Sequence, residues 1–529
     1  MKRIFVSILI TAIIGFIIYY FTLPAINISN LGFWAFFIGL LILFTLIILC
    51  LSLDKRGNIV RFERVLGGSV ITIAIIIIGI VCIDFVLSPL FQSKSYANRI
   101  IVNEDESFTE NVKAVDFNSL PLLDKSSSQK LGDRVMGQMP ELVSQFYVSD
   151  LYTQINYNDT IIRVTPLEYN GLFKYLSNKK DGIKGYITVN SVTGESNLVK
   201  LDKGMKYAPS AIFSQDLDRH LRFEYPTKIF GEKCFEIDNE GNPYWIVPTI
   251  KYKGVGLRKE IASVIILDPI TGDSKEYKLD DVPTWVDHVY SAELIIEQVD
   301  DWGQYKNGFL NSIFGQKNVV QTTEGYNYTT MNDDVYLYTG ITSVSTDESN
   351  IGFILTNMRT KETNFYAVPG AEEYSAMDSA KGQVQQMDYE ASFPLLINLN
   401  NRATYLLSLK DAAGLVKMYA FVDVEDYQKV VITDSAKGIE IAAENYINNV
   451  DLKVDKESMK TKDIEISKIM QSNIDGTSYY YIKDKDNKKY SVSIKVNKNL
   501  IPFLEIGNIV TIKYNIEKEV IEIEDIKIK

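Results

Sequence analysis

Residues 66–91 read LGGSVITIAIIIIGIVCIDFVLSPLF, an apolar run in which Asp84 is the one charged residue. A helix needs about 20 apolar residues to cross the hydrocarbon core of a bilayer, because each residue rises about 1.5 Å. Two further runs precede it, at about residues 4–23 and 31–53. Backbone groups inside a bilayer must be paired within their own segment, so residues 1–91 are predicted to form three transmembrane helices. Asp84 lies near the end of its run, where it either reaches the interface or contacts a partner helix.

Lysine and arginine residues next to the spans predict the direction of insertion. Lys2 and Arg3 precede the first span, whereas residues 24–30 carry no charge. Four basic residues fill the loop between the second and third spans: Lys55, Arg56, Arg61 and Arg64. Basic loops stay in the cytoplasm. We therefore expect the N-terminus inside a bacterial cytoplasmic membrane and residues 92–529 outside it.

Charge and cysteine content restrict the classes of partner. Residues 1–91 hold six basic and three acidic residues, so the formal charge of −12 leaves −15 for the remainder. An acidic surface repels phosphates, and we expect no nucleic-acid partner. Cys50 and Cys82 fall within spans, which leaves Cys234 alone outside. An exported domain without disulfides is more typical of a bacterial surface than of a eukaryotic secretory protein.

One turn signature recurs in the predicted outer chain. Its copies are VNSVTGES at 189–196, LDPITGDS at 267–274, TNMRTKET at 356–363 and, in shorter form, LKDAAG at 409–414. An Asp or Asn side chain bonds the local backbone, and glycine tolerates the positive φ that tight turns require. An apolar stretch precedes each copy and an alternating stretch follows it. The four copies therefore predict four β-hairpins.

Helical periodicity follows three of these hairpins. Apolar residues recur at helical spacing from Trp285 to Val299, from Tyr374 to Met387 and from Ala436 to Val450. A fourth helix is predicted with Thr165 as its cap and Pro166 at its first position. Residues 92–450 are thus predicted to be an extracytoplasmic α+β domain of one or two subdomains.

Composition changes beyond residue 451, where lysines alternate with acids. Five short alternating runs are present, at 464–470, 479–483, 490–496, 508–514 and 520–528. Residues 451–529 are therefore predicted to form a small all-β barrel similar to an OB-fold. Mixed charges are typical of a solvated sheet face, and oligonucleotide binding is not implied.

Two resemblances accompany these patterns. The hairpin at 268–273, with strands on either side and a helix next to it, resembles the PepSY-type repeat of secreted bacterial proteins, which implies binding or restraint of partners. The motifs INY at 155–157, RVTPLEY at 163–169, DVPTWV at 281–286 and LKDAAGLVK at 409–417 extend over much of the chain. Across residues 1–450 the chain resembles uncharacterised membrane proteins of Gram-positive bacteria, sometimes labelled cell-shape or colicin-V-production-like. That resemblance implies no activity.

Few residues suggest chemistry, and we assign no catalytic residue, metal ligand or cofactor. His220 and His288 fall on separate predicted helices, where Asp216 with His220 is a possible ligand pair or an ordinary surface pair. The sequence DDWGQY at 300–305 is the most polar and aromatic cluster. Its binding candidates are Asp300, Asp301, Trp302 and Tyr305. Paired carboxylates serve glycoside chemistry and tryptophan stacks on sugars, although such residues also end helices.

Two functions are compatible with these patterns. The first is a non-enzymatic, membrane-anchored envelope protein that binds a membrane-protein or cell-wall partner as a scaffold or regulator. The alternative is a surface hydrolase of peptidoglycan or another glycan, with Asp300 and Asp301 as its acids.

Overall fold

The computed structural model describes the chain in segments. These are residues 2–52, 62–117, 120–158, 160–331, 333–344, 349–450, 460–474, 477–494, 496–514, 520–523 and 525–529. The chain forms two compact units, residues 1–450 and 451–529. The larger unit combines N-terminal apolar helices with a mixed α/β body, and the smaller unit is a single sheet.

Three N-terminal helices are long and apolar enough to cross a membrane, as predicted. They are α1 (Lys2–Thr22), α2 (Leu31–Ser52) and α3 (Phe62–Leu87). The third span ends at Leu87 and not near Phe91, because Pro89 starts a separate helix, α4 (Pro89–Ala97). Proline has no N–H to continue a preceding helix but is well suited to the first helical position.

Eight further helices are described in the larger unit. They are α5 (Phe108–Asn111), α6 (Lys125–Gly137), α7 (Pro140–Val143), α8 (Leu172–Asn178), α9 (Leu217–Glu224), α10 (Ala292–Tyr305), α11 (Glu373–Gly382) and α12 (Ile439–Asn449). Single turns lie at Phe213–Gln215, Leu279–Asp281, Asn311–Gly315, Gln385–Met387, Ser435–Lys437 and, in the smaller unit, Ile501–Phe503. The three predicted amphipathic helices correspond to α10, α11 and α12. The first of these helices was predicted to begin at Trp285, but α10 begins seven residues later, at Ala292. Ser291 caps it, because its side chain accepts a hydrogen bond from the Leu294 N–H.

Four sheets form the body. The first contains Phe146–Val148, Thr153–Tyr157, Thr160–Tyr169, Ile183–Asn190 and Ser196–Met205. The second contains Ile229–Phe230, Cys234–Ile237, Pro243–Lys251, Glu260–Leu267 and Ser274–Tyr277. The third contains Val102–Glu106, Val320–Thr322, Asn327–Met331, Asp334–Ser343, Ser349–Asn357, Thr363–Tyr366 and Gly370–Ala371. The fourth contains Glu390–Ala391, Leu395–Leu399, Arg402–Lys410, Val416–Asp423 and Val430–Asp434.

Neighbouring sheets share hydrophobic cores. One core joins Val164 of the first sheet to Trp245 of the second. A second core joins the second and third sheets through α10, and a third joins Tyr338 of the third sheet to Tyr405 of the fourth. Fully burying a large apolar side chain contributes roughly 1.5–3 kcal/mol. Each sheet is therefore stabilised by packing on the next one along the chain.

All four predicted hairpins are present. We number them 1 (183–205), 2 (260–277), 3 (349–366) and 4 (402–423). In hairpin 2 the Asp268 carboxylate accepts a hydrogen bond from the Ile270 N–H at 2.7 Å, and Gly272 has a φ of +86°. Asn190 and Asn357 accept the same backbone bonds in hairpins 1 and 3. The turn signature that recurs in the sequence thus forms the same hydrogen bond in hairpins 1, 2 and 3.

The predicted helix at Thr165 is wrong, because these residues lie in the strand Thr160–Tyr169. Their polar groups face Ser149, which lies far from them in sequence. The Thr165 hydroxyl donates to the Ser149 carbonyl at 2.8 Å, and the Glu168 carboxylate accepts from the Ser149 hydroxyl at 2.5 Å. Tertiary partners therefore override the local capping pattern.

The smaller unit is a curled half-barrel sheet of six described strands. They are Lys460–Ile474, Thr477–Asp484, Lys489–Ser493, Ile509–Tyr514, Val520–Glu522 and Asp525–Ile528. The long first strand pairs with Ile509–Tyr514 through its beginning and with Thr477–Asp484 through its end. The predicted run at 520–528 is two strands, which lie at opposite edges of the sheet.

A linking segment, residues 98–117 and 120–124, connects α4 to the body. Val102–Glu106 in it forms a parallel edge strand of the third sheet. The Val115 N–H donates to the fourth sheet at 2.9 Å, and the Leu123 N–H donates to hairpin 1 at 3.0 Å. The segment that follows the membrane helices is therefore bonded to three of the four sheets.

Candidate functional site

A cavity of about 410 Å³ lies where three of the sheets and the start of α10 meet. Small-ligand sites commonly have volumes of about 300–1,000 Å³. The residues of its wall that matter here are Gln154, Arg163, Glu232, Cys234, His288, Glu293, Tyr326 and Tyr328. Its wall combines residues of the first, second and third sheets with the start of α10, so no single sheet forms the cavity alone.

Arg163 is the most unusual residue of this wall. It sits in the strand Thr160–Tyr169 and is only 6% exposed. Among the residues that the structure describes, its guanidinium has neither a hydrogen-bond nor an ion-pair partner, and its Nε is fully enclosed. Burial lowers the pKa of Arg163 to about 10, and the charges of Asp124 and Tyr328 offset only part of that effect. The side chain is still a cation at neutral pH.

Gln154 is the direct cross-strand neighbour of Arg163. Cross-strand neighbours project from the same face of a sheet. Gln154 is 2% exposed, and neither its Oε1 nor its Nε2 has a hydrogen-bond partner within the described chain. Both amide atoms are fully enclosed, so the polar group that this pair offers at the cavity wall is the Arg163 guanidinium.

A buried acid fixes the loop that carries His288. Glu236 accepts the backbone N–H groups of Asp287 and His288, each at 2.9 Å. Burial raises the pKa of Glu236 to about 7 and, together with the charge of Glu236, raises the pKa of Asp287. Asp287 in turn accepts the Asn156 N–H at 2.7 Å. The loop is thereby fastened to the first and second sheets.

His288 itself is neutral in this setting. It is 7% exposed, and burial lowers its pKa to about 4. Its Nε2 lies 2.7 Å from the Gln154 carbonyl oxygen, so the hydrogen bond assigns the proton to Nε2. The ring of Tyr328 packs edge-on against it at 5.6 Å. His288 therefore orients the strand that carries Gln154 and adds no charge to the cavity.

Charges are unevenly distributed over the cavity. Glu232 and Glu293 are exposed, whereas Arg163 is buried. The Asp124 carboxylate, another wall residue, is paired with Lys410. Burial raises the pKa of the Cys234 thiol, which keeps it protonated and unreactive at neutral pH. The cavity can bind a small polar molecule. The positive charge of the cavity, on Arg163, lies at its buried end.

The predicted candidates Asp300 and Asp301 lie on α10, outside the wall of this cavity. Asp301 is paired with Arg99. Asp300 accepts hydrogen bonds from the Thr322 N–H at 2.8 Å and its hydroxyl at 3.0 Å. The two carboxylates are thus bound to different parts of the protein, and the glycan hydrolase stays a prediction that this geometry does not favour.

Trp302 and Tyr305 also serve packing contacts. Trp302 is 8% exposed and belongs to the core between the second and third sheets. Lys306 covers its ring, with Nζ 3.9 Å from the centroid. The Tyr305 ring meets Tyr96 of α4 edge-on at 5.9 Å. These aromatic groups help to hold α4 against α10.

The histidines do not meet. Asp216 caps α9 by accepting the Arg219 N–H at 2.8 Å, and His220 Nε2 lies 2.8 Å from the Gly272 carbonyl. His288 lies in a loop and not on a helix, and it is buried beside Asp287. Among the described residues, no group of three or more His, Cys, Asp or Glu side chains has the geometry of a metal site.

The cavity was not predicted, although the sequence around Arg163 contains one signal for it. Arg163 follows Ile161 and Ile162 and precedes Val164 in a strand that is otherwise apolar at this point. A lone cation in such a run is unusual, because unpaired charges are rarely buried.

Comparison of the sequence with protein-family models and with curated proteins finds no match to either.

Proposed function

We propose that this protein is an envelope protein of a bacterial cytoplasmic membrane whose body binds a membrane-protein or cell-wall partner as a scaffold or regulator, and not as an enzyme. In this proposal the N-terminus is inside and residues 92–529 are outside. The architecture that supports it is a set of three N-terminal candidate spans joined to a large mixed α/β body. The resemblance of hairpin 2 to the PepSY-type repeat agrees with a binding role.

The observation that carries the proposal is the direct bonding of the spans to the body. The Ile26 N–H, between α1 and α2, donates to the Pro226 carbonyl at 2.8 Å. Arg222 of α9 donates from Nε to the Leu23 carbonyl at 3.0 Å. The guanidinium of Arg219 lies 4.3 Å from the centroid of the Tyr20 ring, a cation–π geometry. The junction of α1 and α2 is thus held by several polar contacts.

The end of α3 is held by a second contact. The Asp84 carboxylate accepts the Val255 N–H at 2.8 Å. Two glycines flank Val255, with φ values of +91° at Gly254 and +83° at Gly256. A Cβ at Gly254 would lie 2.8 Å from Asp84 Oδ1, and one at Gly256 would lie 3.0 Å from Leu31. Only glycines let this loop approach the ends of α2 and α3 so closely.

These contacts give the body a fixed orientation relative to the bilayer. A flexible tether would let the body explore many orientations, and a bound partner would share that freedom. Because the body is bonded both at the junction of α1 and α2 and at the end of α3, it presents one set of surfaces at one height above the lipid. Such a geometry suits a scaffold or regulator that works on a neighbouring membrane or wall component.

The orientation of the chain is tested with cysteine variants in living cells. With Cys50, Cys82 and Cys234 replaced by alanine, a single cysteine is introduced either at exposed Lys180 or at Asn58 in the predicted inner loop. We expect a membrane-impermeant thiol reagent to label Lys180→Cys in intact cells and Asn58→Cys only after lysis. The reverse pattern would overturn the extracytoplasmic assignment.

Partner binding is tested by cross-linking in intact cells followed by mass spectrometry. A reproducible complex is expected for the native chain. Gly254→Val should weaken the complex, because its side chain would clash with Asp84 and free the body from α3. Gly137→Val is the matched control, since a Cβ at Gly137 meets open space. A complex of equal yield in both variants would contradict the role of the fixed orientation, and absence of any complex would contradict the scaffold.

A further inference from the structure

Five large apolar side chains are exposed on the body close to the end of α1. Three belong to α8, one to the turn before α9 and one to α9 itself, and each is between 42% and 80% exposed. They are Leu172, Phe173, Leu176, Phe213 and Phe223, which we call the α8–α9 surface. Single exposed apolar residues are ordinary, whereas a group of large ones marks a contact with a partner or a membrane.

Hydrogen bonds connect the α8–α9 surface to α1 in two steps. Arg219 of α9 donates from Nε to the Tyr20 carbonyl at 3.2 Å and from Nη1 to the Phe213 carbonyl at 2.8 Å. The Tyr175 hydroxyl of α8 donates to the neighbouring Ile212 carbonyl at 2.6 Å. The turn before α9 is thereby held between α1 on one side and α8 on the other.

Phe223 packs directly on the span. Its ring centroid lies 5.8 Å from that of Tyr19, in an edge-on contact, and 6.1 Å from that of Tyr20. Both tyrosines belong to the last turn of α1, which is long and apolar enough to cross a membrane. Tyrosines at the ends of spans lie at the level of the lipid headgroups. The α8–α9 surface is therefore continuous with the lipid-facing surface of α1 and lies at the same level.

The backbone at Phe213 is strained. Its φ of +59° lies in the left-handed region, which is unfavourable for a residue with a large side chain and easier for glycine or asparagine. More than half of Phe213 is exposed, so burial within the protein offsets little of this strain. A bulky apolar residue in such a position is expected where its side chain reaches an apolar medium outside the protein.

We propose that the α8–α9 surface lies in the headgroup region of the bilayer beside α1, with its phenylalanine and leucine side chains in contact with lipid acyl chains. Interfacial segments bury their apolar side about 5–10 Å into the boundary between headgroups and acyl chains. Lys179 and Lys180, which follow α8 and are exposed, can reach the lipid phosphates. The proposal requires only that α1 crosses the membrane, in either direction, so it can fail while the scaffold function stands.

A fluorescent probe tests whether the surface meets lipid. In full-length protein with Cys50, Cys82 and Cys234 changed to alanine, a single cysteine replaces Phe173 and carries the fluorophore NBD. The protein is reconstituted into phosphatidylcholine vesicles that contain spin-labelled phosphatidylcholine, with the label either near the headgroup or at the end of the acyl chain. We expect the label near the headgroup to quench the emission of the Phe173→Cys probe strongly and the deep label to quench it much less.

Two further positions give the matched controls. Leu415 is also apolar and exposed, but it lies in the turn of hairpin 4 on the fourth sheet, and a probe at Leu415→Cys should be quenched by neither label. Phe21 lies on α1 itself, and a probe at Phe21→Cys should be quenched. Absence of quenching at Phe21→Cys would contradict the insertion of α1 and, with it, the proposal.

The remaining outcomes separate lipid from other surroundings. Absence of quenching at Phe173→Cys, with Phe21→Cys quenched, would overturn the proposal while leaving the membrane anchor in place. An emission shifted to the blue without quenching would mean that protein, such as a second copy of the chain, covers the surface, and would also overturn it. Equal quenching at Leu415→Cys would overturn it as well, because the fluorophore itself would then be entering the lipid.

Discussion

Arg99 and Arg163 are buried to the same extent, yet their surroundings differ completely. Arg99 meets Glu297, Asp301 and Glu260, and its Nη2 donates to the Lys259 carbonyl at 2.7 Å. Burial alone would lower the pKa of Arg99, but the hydrogen bonds to Asp301 and Glu297 outweigh it and raise the pKa. For Arg163 burial dominates and the pKa falls. The first arginine joins the linking segment to α10, and the second faces a cavity.

The difference shows what a buried charge can be used for. Where carboxylates surround a guanidinium, the charge specifies which segments pack together. Where no carboxylate is bonded to it, the same group lowers the stability of the folded state. If this distinction is correct, removal of the two side chains must change stability in opposite directions.

The largest effect is expected for Arg99→Met. The change leaves Asp301 and Glu260 partly buried, with Lys361 as the nearest cation, 3.8 Å from Glu260. Breaking a buried pair by removing one partner costs about 3–5 kcal/mol. Denaturant unfolding of the full chain in detergent, followed by tryptophan fluorescence, measures this loss. The double variant Arg99→Met with Asp301→Leu should recover much of the lost unfolding free energy. A loss below about 1 kcal/mol in Arg99→Met alone would contradict the structural role of Arg99.

Glu373 extends the comparison to a buried acid that has no cation beside it in the part of the chain that the structure describes. It is 0% exposed and accepts the Gly340 N–H at 2.8 Å and the Thr323 hydroxyl at 2.9 Å. Burial raises its pKa from 4.5 to about 7. The folded state therefore binds more protons than the unfolded state between these pH values, and stability falls as the pH rises through this window.

Glu373→Gln should remove that pH dependence. The two proteins are expected to be about equally stable near pH 4, where Glu373 is protonated in both states. Above pH 7 the variant should be more stable by about 3 kcal/mol, because each pKa unit corresponds to about 1.4 kcal/mol. The Thr323 hydroxyl can reverse its role and accept from the new amide. Unfolding curves of both proteins from pH 4 to pH 8 test this, and a constant difference over that range would contradict it.

Local chemistry explains which elements were predictable from the sequence. The hairpin turns depend on Asp or Asn side chains that bond the backbone two or three residues ahead, so their pattern is readable in any window of eight residues. The spans depend on length and hydropathy alone. The helix predicted at Thr165 failed because its polar groups bond to Ser149, a tertiary contact that no local pattern contains.

The candidate site could not be predicted because its parts are far apart in the chain. Arg163, His288 and Tyr328 come from the first sheet, the loop before α10 and the third sheet. The residues that were predicted, Asp300 and Asp301, were chosen because they are adjacent in sequence. Adjacent residues on a helix point in different directions, and these two bind different segments. A lone charge in an apolar strand was the better signal.

The smallest effect is expected at the hairpin turns, where polar groups have complete local partners. The Asp268 carboxylate accepts the Ile270 N–H and, at 2.9 Å, the Thr271 hydroxyl. Asp268→Ala should cost about 1 kcal/mol in unfolding free energy, the usual net contribution of such bonds.

Asp268→Asn should cost almost nothing, because Asn190 and Asn357 make the corresponding bonds in hairpins 1 and 3. The amide oxygen supplies the same acceptor, and loss of the charge matters little for a group in contact with solvent. Denaturant unfolding of both variants separates the two outcomes. A loss for Asp268→Asn as large as that for Asp268→Ala would mean that the carboxylate charge is required, and the turns of the repeat would then not be chemically interchangeable.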